Sequence, residues 1–277
     1  MGLRINTNTQ SMQAQRSLSK VGREQSDVYS QLASGNRINK AGDDAAGLAI
    51  SEKLKAEIRG SQQASRNAGD GISMIQTAEG GLNEVSNILV RLRELSVQAA
   101  SDTIGENERK FSDMEYQQMT SELQRISEST EFNGIKLLNG EGEKMEFQIG
   151  TKNNEFQDRI AFNPSDSSAT LGALEVEGTK VLTKQDAQTN LEKIDGAINK
   201  VNSNRANLGA LQNRLQSTMS NLEVKTENLA ASNSRIRDTD VAHASAELAR
   251  TNIVSSAVTS VLASANQNPA SALRLIS

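Results

Sequence analysis

The chain has 277 residues, a formal net charge of −4, 3% aromatic residues, no Trp and no Cys, and 36% of its residues are hydrophobic. So few large side chains argue against one wide globular core and favour long helices that pack along a narrow seam of Leu, Ile, Val and Ala. The sequence has no basic run, no cysteine and no stretch of about 18 apolar residues, which argues against nucleic-acid binding, a thiolate metal site and membrane insertion.

Residues 1–40 and the C-terminal segment carry sparse apolar residues separated by Gln, Ser, Asn and Arg. The spacings fit helices with one narrow apolar stripe. Each stripe alone would bury too little surface to offset an ordering entropy of about 1–2 kcal/mol per residue. We therefore expect both ends to be disordered in a free monomer and to fold against one another on assembly.

Three helices are predicted in the N-terminal half. The first covers residues 44–58, with Asp44 as its N-cap. Its inward face is expected to carry Leu48, Ile50, Leu54 and Ile58. The Gly-Asp-Gly sequence at residues 69–71 predicts a bend or a tight cap before the second helix, whose apolar residues step by three or four. These residues are Ile72, Ile75, Ala78, Leu82, Val85, Leu89, Leu92 and Leu95. The third helix is predicted over residues 113–130.

The helical periodicity stops between residues 132 and 182. Apolar and polar residues alternate around Phe147 and again around Ile160, with a polar stretch at residues 150–154 between them, which predicts a β-hairpin. The pairs Asn133-Gly134 and Asn139-Gly140 indicate turns. Residues 164–172, rich in Ser, Asp and Ala, predict an exposed loop.

The strongest periodic signal is an apolar residue at every seventh position of the C-terminal half. These residues are Ile194, Val201, Leu208, Leu215, Leu222, Leu229 and Ile236. A straight helix drifts about 20° per heptad, or about 120° over six steps, so the repeat predicts one long helix in a left-handed supercoil with a partner. Thr189 and Glu192 have the spacing of a capping box at its start.

Catalytic and metal-binding patterns are scarce. The single histidine, His243, rules out multi-histidine metal sites and leaves at most one position for a Ser-His-Asp triad, so both kinds of site are largely ruled out. The adjacent Asp43 and Asp44 are interpreted as a helix start rather than a carboxylate pair. Asp238 and Asp240 have the spacing of a calcium loop without its following Gly and its Glu. The sequence therefore predicts no enzyme, no cofactor and no metal.

Several blocks of this sequence resemble bacterial flagellin, the subunit of the flagellar filament. The N-terminal blocks are LRINTN from Leu3, QLASGNRI from Gln31, NKAGDDAAGLAI from Asn39, GDGISMIQTAEG from Gly69 and FNGIKLL from Phe132. The C-terminal blocks are LGALQNRL from Leu208, NLAA from Asn228, SRIRDTD from Ser234 and VLASANQ from Val261. The resemblance covers nearly the whole chain apart from residues 140–185.

The resemblance implies a mainly α fold: an elongated bent rod of long coiled-coil-like helices with one small β-hairpin region, about residues 140–182. It is similar to the minimal form of the family, without large outer domains. Residues 1–44 and 237–277 would be terminal helices of the filament core, and residues 45–236 the surrounding helical shell. The polymerisation core would include Leu3, Ile5, Leu18, Val28, Leu32, Val254, Val258, Val261, Leu262 and Leu273.

The resemblance also implies partners and a location. Bulk features alone indicate a cytosolic helical protein without a secretory signal, but flagellins are exported without a cleaved signal to the extracellular filament. The expected partners are further copies of the chain in an open helical homopolymer, the export apparatus and its chaperone, and the hook-junction and cap proteins. A toll-like receptor is a further expected partner, through residues resembling Arg91, Leu95 and Glu122. The alternative that these three serve packing alone stays open.

Two other functions fit parts of the sequence. A hook–filament junction protein has similar termini but stops growing as a short ring. A non-flagellar helical surface scaffold would share only the helical pattern and would not extend a flagellar filament.

Overall fold

A computed structural model describes residues 7–276 of the chain, with side chains over residues 7–267. This part contains six α-helices and two two-stranded antiparallel sheets, so the predicted mainly α class is confirmed. The elements are α1 (Thr9–Ser34), α2 (Ala45–Ala99), α3 (Glu106–Ser129), β1 (Glu131–Phe132), β2 (Ile135–Lys136), β3 (Met145–Gln148), α4 (Glu155–Asp158), β4 (Arg159–Phe162), a 3-10 turn (Pro164–Ser167), α5 (Lys184–Arg237) and α6 (Val241–Ile276).

The chain forms two compact units. The terminal unit comprises the described parts of Met1–Ala56 and Asn228–Ser277, and the central unit comprises Glu57–Glu227.

The central unit has one hydrophobic core, built from the stripes that the sequence predicts. The α2 stripe from Ile75 to Leu95 is buried, and Ile194, Val201, Leu208 and Leu215 of the α5 heptads are buried with it. Tyr116 and Leu123 of α3 complete the helical part of the core. Because a fully buried Leu or Ile side chain contributes about 1.5–3 kcal/mol, these stripes dominate the stability of the unit.

Helix α2 runs without interruption through residues 69–71, so the predicted bend there is wrong. Gly71 is needed for close packing instead, since a Cβ on it would lie 3.2 Å from the Phe147 ring and 3.3 Å from Leu215. At the start of the helix the prediction of Asp44 as N-cap is confirmed, because Gly47 N donates to Asp44 Oδ1 at 2.8 Å. Ile50 does not face inward as predicted; its side chain is exposed.

The starts of α3 and α5 lie earlier than predicted. The first turn of α3 holds Glu106 and Glu108, which favour a helix N-terminus without adding to an apolar stripe. Helix α5 begins after Thr183, whose hydroxyl accepts from Asp186 N at 3.1 Å and donates to the Asp186 carboxylate at 2.6 Å. The predicted capping box is therefore wrong: Thr189 lies inside α5 and donates to Gln185 O.

The predicted β-hairpin is confirmed in β3 and β4, with Phe147 opposite Ile160. The smaller hairpin β1–β2 was not predicted beyond its turn, where Asn133 and Gly134 have φ values of 51° and 78°. Positive φ at both central residues defines a type I′ turn. The expected exposed loop at residues 164–172 is only partly exposed, since Pro164, Ser167 and Ala169 are buried. Ala169 N donates to Leu138 O at 2.9 Å, which holds this segment on the core.

In the terminal unit, α1 packs along α6. The chain leaves α1 through Gly35, a left-handed C-cap with φ of 71°. Gly35 O accepts from Thr239 N at 2.9 Å, and Arg37 N donates to Arg237 O at 2.6 Å. The break between α5 and α6 is therefore paired with the end of α1.

Candidate assembly surface

The contact between α1 and α6 is built from small residues at heptad spacing. The buried residues are Ala14, Val21 and Val28 on α1, and Ala244, Thr251 and Ala265 on α6. Positions 14, 21 and 28 are seven apart, as are 244 and 251, and this repeat is the signal that could have predicted the seam from the sequence. Small side chains bring the helices close, but they bury little apolar area.

Polar side chains connect the two helices at both edges of this seam. Asn8 Nδ2 donates to Ala265 O at 2.8 Å, and Ser11 Oγ donates to Asn266 Oδ1 at 2.8 Å. Further along, Gln25 donates to Asn252. These hydrogen bonds fix which residues of α1 and α6 face each other, because a shift along the helix would break all of them.

Charges on this pair of helices lie close to one another. Glu24 has Lys20 at 3.8 Å and Arg250 at 4.0 Å. The Arg250 guanidinium also donates to Glu247, and this hydrogen bond lowers the pKa of the Glu247 carboxyl. None of these groups is buried, so they contribute more to pairing specificity than to stability.

The predicted polymerisation residues divide into three groups. Val28 lies in the seam, and Leu18, Leu32, Val254, Val258 and Leu262 are half-buried beside it. Val261 lines a groove between the two helices, with 59% of its surface exposed. Leu3, Ile5 and the side chain of Leu273 lie outside the described residues.

Apolar side chains remain exposed on both helices. Besides Val261, these are Met12 and Tyr29 on α1, and Val241 and Ile253 on α6. Ile253 is 71% exposed. A groove of about 410 Å³ runs between the helices and is lined by Ala14, Val258, Val261 and Ala265 together with polar residues. Exposed apolar surface of this kind is typical of a contact with another chain.

The second candidate site consists of Arg91, Leu95 and Glu122, which the structure places in different surroundings. Arg91 on α2 binds Glu115 of α3 at 2.7 Å and Glu94 at 2.9 Å, and these hydrogen bonds, Glu115 first, raise the pKa of Arg91. Leu95 is buried in the core.

Glu122 pairs with Arg125 on its own helix, and this hydrogen bond lowers the pKa of Glu122. Glu115, which no sequence pattern indicated, is the α3 carboxylate that contacts Arg91. The exposed part of this candidate site therefore consists of ion pairs.

The acidic pairs noted in the sequence have structural partners. Asp43 accepts from Asn39 N and Lys40 N, and the hydrogen bond from Lys40 N is the larger cause of a lowered pKa for Asp43. Asp240 caps α6 by accepting from Ala242 N and His243 N. Among the described residues, no group of three or more His, Cys, Asp or Glu side chains could hold a metal ion. Over the same residues, no helix has the length and apolar character needed to cross a membrane.

This architecture defines a class, that of helical structural subunits whose paired terminal helices carry surfaces for assembly. Sequence comparison gives the family. The profile of the bacterial flagellin N-terminal helical region matches residues 5–143, and that of the C-terminal helical region matches residues 191–276. The chain belongs to the bacterial flagellin family, whose members form the extracellular flagellar filament.

Individual relatives match over their full length. A flagellin of Halalkalibacterium halodurans is 44% identical over 98% of this chain and 99% of its own. A flagellin of Bacillus subtilis is 41% identical over 99% of this chain and 100% of its own. The flagellar filament 33 kDa core protein of Treponema phagedenis is 40% identical, with 98% and 99% covered.

Solved structures agree with this family. Bacillus cereus flagellin superposes with a TM-score of 0.51 at 30% identity, covering 61% of this chain and 94% of that one. A putative flagellar hook-associated protein from Vibrio parahaemolyticus superposes with a TM-score of 0.58, covering 71% of this chain and 100% of that one. Its identity is only 13%, so this similarity concerns the fold alone.

Proposed function

We propose that this chain polymerises into the flagellar filament by burying the outer faces of α1 and α6 between subunits, and that its role is structural rather than catalytic. The observation that carries the proposal is the set of uncovered apolar side chains, Ile253 and Val261 foremost, beside a seam of small residues. An apolar surface that one chain leaves open is covered when another copy packs on it. A repeating contact of this kind that does not close on itself generates a helical filament.

The proposal assigns different roles to different residues. Residues 1–44 and 237–277 would form the filament core, and residues 45–236 the shell. The hydrophobic core of the central unit lies between Ala68 and Leu215, so the central unit does not need α1 or α6 to bury its own apolar stripes.

Seeded assembly tests the proposal. Monomerised protein is added to short filament seeds, and growth is followed by electron microscopy together with circular dichroism. We expect long filaments and a gain in helix content. Deleting residues 258–277 is expected to leave the central unit folded and to abolish growth; filaments of normal length from that variant would contradict the proposal. Growth that stops at a short ring would indicate a junction protein, and no growth a non-flagellar scaffold.

A point substitution tests the surface itself. Ile253→Ser removes an exposed apolar side chain whose burial in a contact is worth about 1.5–3 kcal/mol, so the critical concentration should rise about ten- to hundred-fold. The stability of the central unit should stay unchanged because Ile253 lies on α6, outside the core of that unit, with a side chain that is 71% exposed. Ile253→Leu, which keeps the apolar area, is the matched control and should assemble normally.

Export partners are proposed from the family. Before assembly, the exposed Val241, Ile253 and Val261 of α6 need protection from aggregation, which an export chaperone bound to the C-terminal part would supply. Calorimetry should detect weaker chaperone binding to the variant without residues 258–277, which lacks Val261, than to the full chain; equal binding would argue against this site. The export apparatus, hook-junction and cap proteins follow from the same family argument.

Recognition by a toll-like receptor is a separate proposal. Arg91 and Glu122 are accessible, while the buried Leu95 could act only by holding α2 in place. Monomeric protein should activate receptor-bearing reporter cells, and Arg91→Ala should reduce the response. Arg93→Ala is the matched control, because Arg93 pairs with Asp195 of α5 instead. No response to the unmodified monomer would refute the proposal.

A further inference from the structure

The chain contains two Asn-Gly pairs, and their surroundings differ sharply. We propose that Asn133, and not Asn139, is a site of spontaneous chemical modification in the folded protein, where the side-chain amide is lost and aspartate and isoaspartate form. The proposal is independent of the proposed function. It rests on the exposure, hydrogen bonding and packing of the two pairs.

The reaction needs only water. The main-chain nitrogen of the Gly attacks Cγ of the preceding Asn, forming a new N–C bond and expelling ammonia, which leaves a five-membered succinimide. Water then adds to either succinimide carbonyl and opens the ring. One opening gives Asp, and the other gives isoAsp, in which the main chain runs through Cγ. A following Gly favours the attack because it has no side chain to obstruct the ring.

The first pair is open to this attack. Asn133 and Gly134 are both exposed, and no atom lies within 4 Å of the place where a Cβ on Gly134 would be. The Gly134 N–H is outside the ladder, since β1 and β2 pair only through Glu131 with Lys136 and Phe132 with Ile135. Attack requires rotation about the Asn133 main chain, so the turn must open. A two-pair ladder makes that opening local.

The second pair, Asn139 and Gly140, is fixed in place by hydrogen bonds and by packing. Asn139 Oδ1 accepts from Glu141 N at 3.0 Å, so the side-chain amide is engaged on its own turn. A Cβ on Gly140 would lie 2.7 Å from Ser168 Oγ, which shows how closely the turn packs. The preceding Leu138 is fully buried, and its carbonyl accepts from Ala169 N at 2.9 Å. Rotation at Asn139 therefore disturbs the core.

Modification would change the hairpin. Either product adds a negative charge beside Glu131. IsoAsp also adds one methylene to the main chain of a type I′ turn, whose geometry requires two consecutive residues with positive φ. The two β1–β2 pairs should then open, while Leu137 and Leu138, fully buried after the hairpin, stay in place.

The sequence makes the measurement direct. Trypsin cleaves after Arg125, Lys136 and Lys144, so Asn133 and Asn139 fall on separate peptides, 126–136 and 137–144, each with a single Asn. Full-length protein is incubated at mildly alkaline pH and digested at lower pH. The fraction of each peptide that is one mass unit heavier is then followed over time.

We expect conversion at Asn133 to be about tenfold faster than at Asn139, the ratio that corresponds to one intact hydrogen bond at the second site. In denaturant the two rates should become nearly equal. Fragmentation that separates isoAsp from Asp should find both at position 133, because direct hydrolysis gives Asp alone. Asn133→Gln should abolish conversion on the first peptide and leave the second unchanged. Equal rates in the folded protein, a faster Asn139, or a product without isoAsp would overturn the proposal.

Discussion

Asp158 organises the loop between β3 and β4 although it looks unremarkable in the sequence. Its carboxylate is buried and accepts from Lys152 N at 3.3 Å and Asn154 N at 2.9 Å. Gly150 packs directly against it, and a Cβ there would lie 2.7 Å from Asp158 Cβ and closer still to the carboxylate. A pattern of apolar residues cannot reveal such a contact, because it joins a side chain to main-chain groups several residues away.

Gly150→Ala should therefore destabilise the central unit by about 1–3 kcal/mol, the usual cost of overpacking. Gly196→Ala is the matched control. Gly196 lies in α5 with nothing within 4 Å of an added Cβ, so the change should stabilise the chain by about 0.5–1 kcal/mol. Guanidinium unfolding followed by circular dichroism measures both. Equal effects of the two substitutions would mean that the loop does not need Gly150.

At the scale of elements, α3 holds the segment between β4 and α5 through polar contacts along one face. Asp113 Oδ1 accepts from Val181 N at 2.8 Å, Gln117 Nε2 donates to Thr179 O at 3.0 Å, and Gln124 Oε1 accepts from Leu171 N at 3.1 Å. The Tyr116 hydroxyl lies 2.8 Å from Thr179 Oγ1. Part of this segment, residues 164–172, is predicted as an exposed loop. Contacts between polar side chains and the main chain leave no periodic pattern in a sequence, so they could not be predicted.

Tyr116→Phe should cost about 1 kcal/mol at neutral pH, since it removes one buried hydrogen bond. Burial raises the pKa of the Tyr116 phenol, so the folded state favours the protonated form. The stability that the protonated phenol contributes is fully present below the ordinary tyrosine pKa of about 10. It is lost as the pH rises through the raised pKa of Tyr116 in the folded state. The difference in unfolding free energy between the unmodified chain and the Tyr116→Phe variant should therefore shrink above about pH 10.

Unfolding curves across that pH range measure the difference. Tyr29→Phe is the control, since it removes a hydroxyl from a half-exposed side chain of α1, outside the core of the central unit. A difference that stays constant into strong alkali would show that Tyr116 does not ionise with unfolding.

Long helices could be predicted, but most of their ends could not, the N-cap Asp44 of α2 being an exception. The heptads of α5 and the stripe of α2 recur over many turns, so single exceptions do not hide them. A cap depends on one or two residues, and Thr183 with Asp186 competes with the equally plausible Thr189 with Glu192. The Gly-Asp-Gly sequence was misread for a related reason: tertiary packing of Gly71 against Phe147 outweighs the low helix propensity of glycine.

At the scale of the whole molecule, the two units use different packing. The central unit buries long stripes of Leu, Ile and Val in one core, whereas the terminal unit has a thin seam of Ala, Val and Thr. The family could be identified from sequence blocks at both ends. The burial of the assembly residues could not be predicted. A sparse stripe does not show that Val28 is buried while Val261 is 59% exposed, because that depends on the register of α1 against α6.

The positions of the two tyrosines have a practical consequence. The chain has no Trp, so its ultraviolet emission comes from Tyr29 and Tyr116, one in each compact unit. Tyr29 lies on the outer surface of α1, and Tyr116 is enclosed in the central core. Each single-tyrosine variant thus carries a built-in optical probe: quencher access to Tyr29 reports when terminal helices become covered, and Tyr116 emission reports when the central unit loosens, without an attached dye.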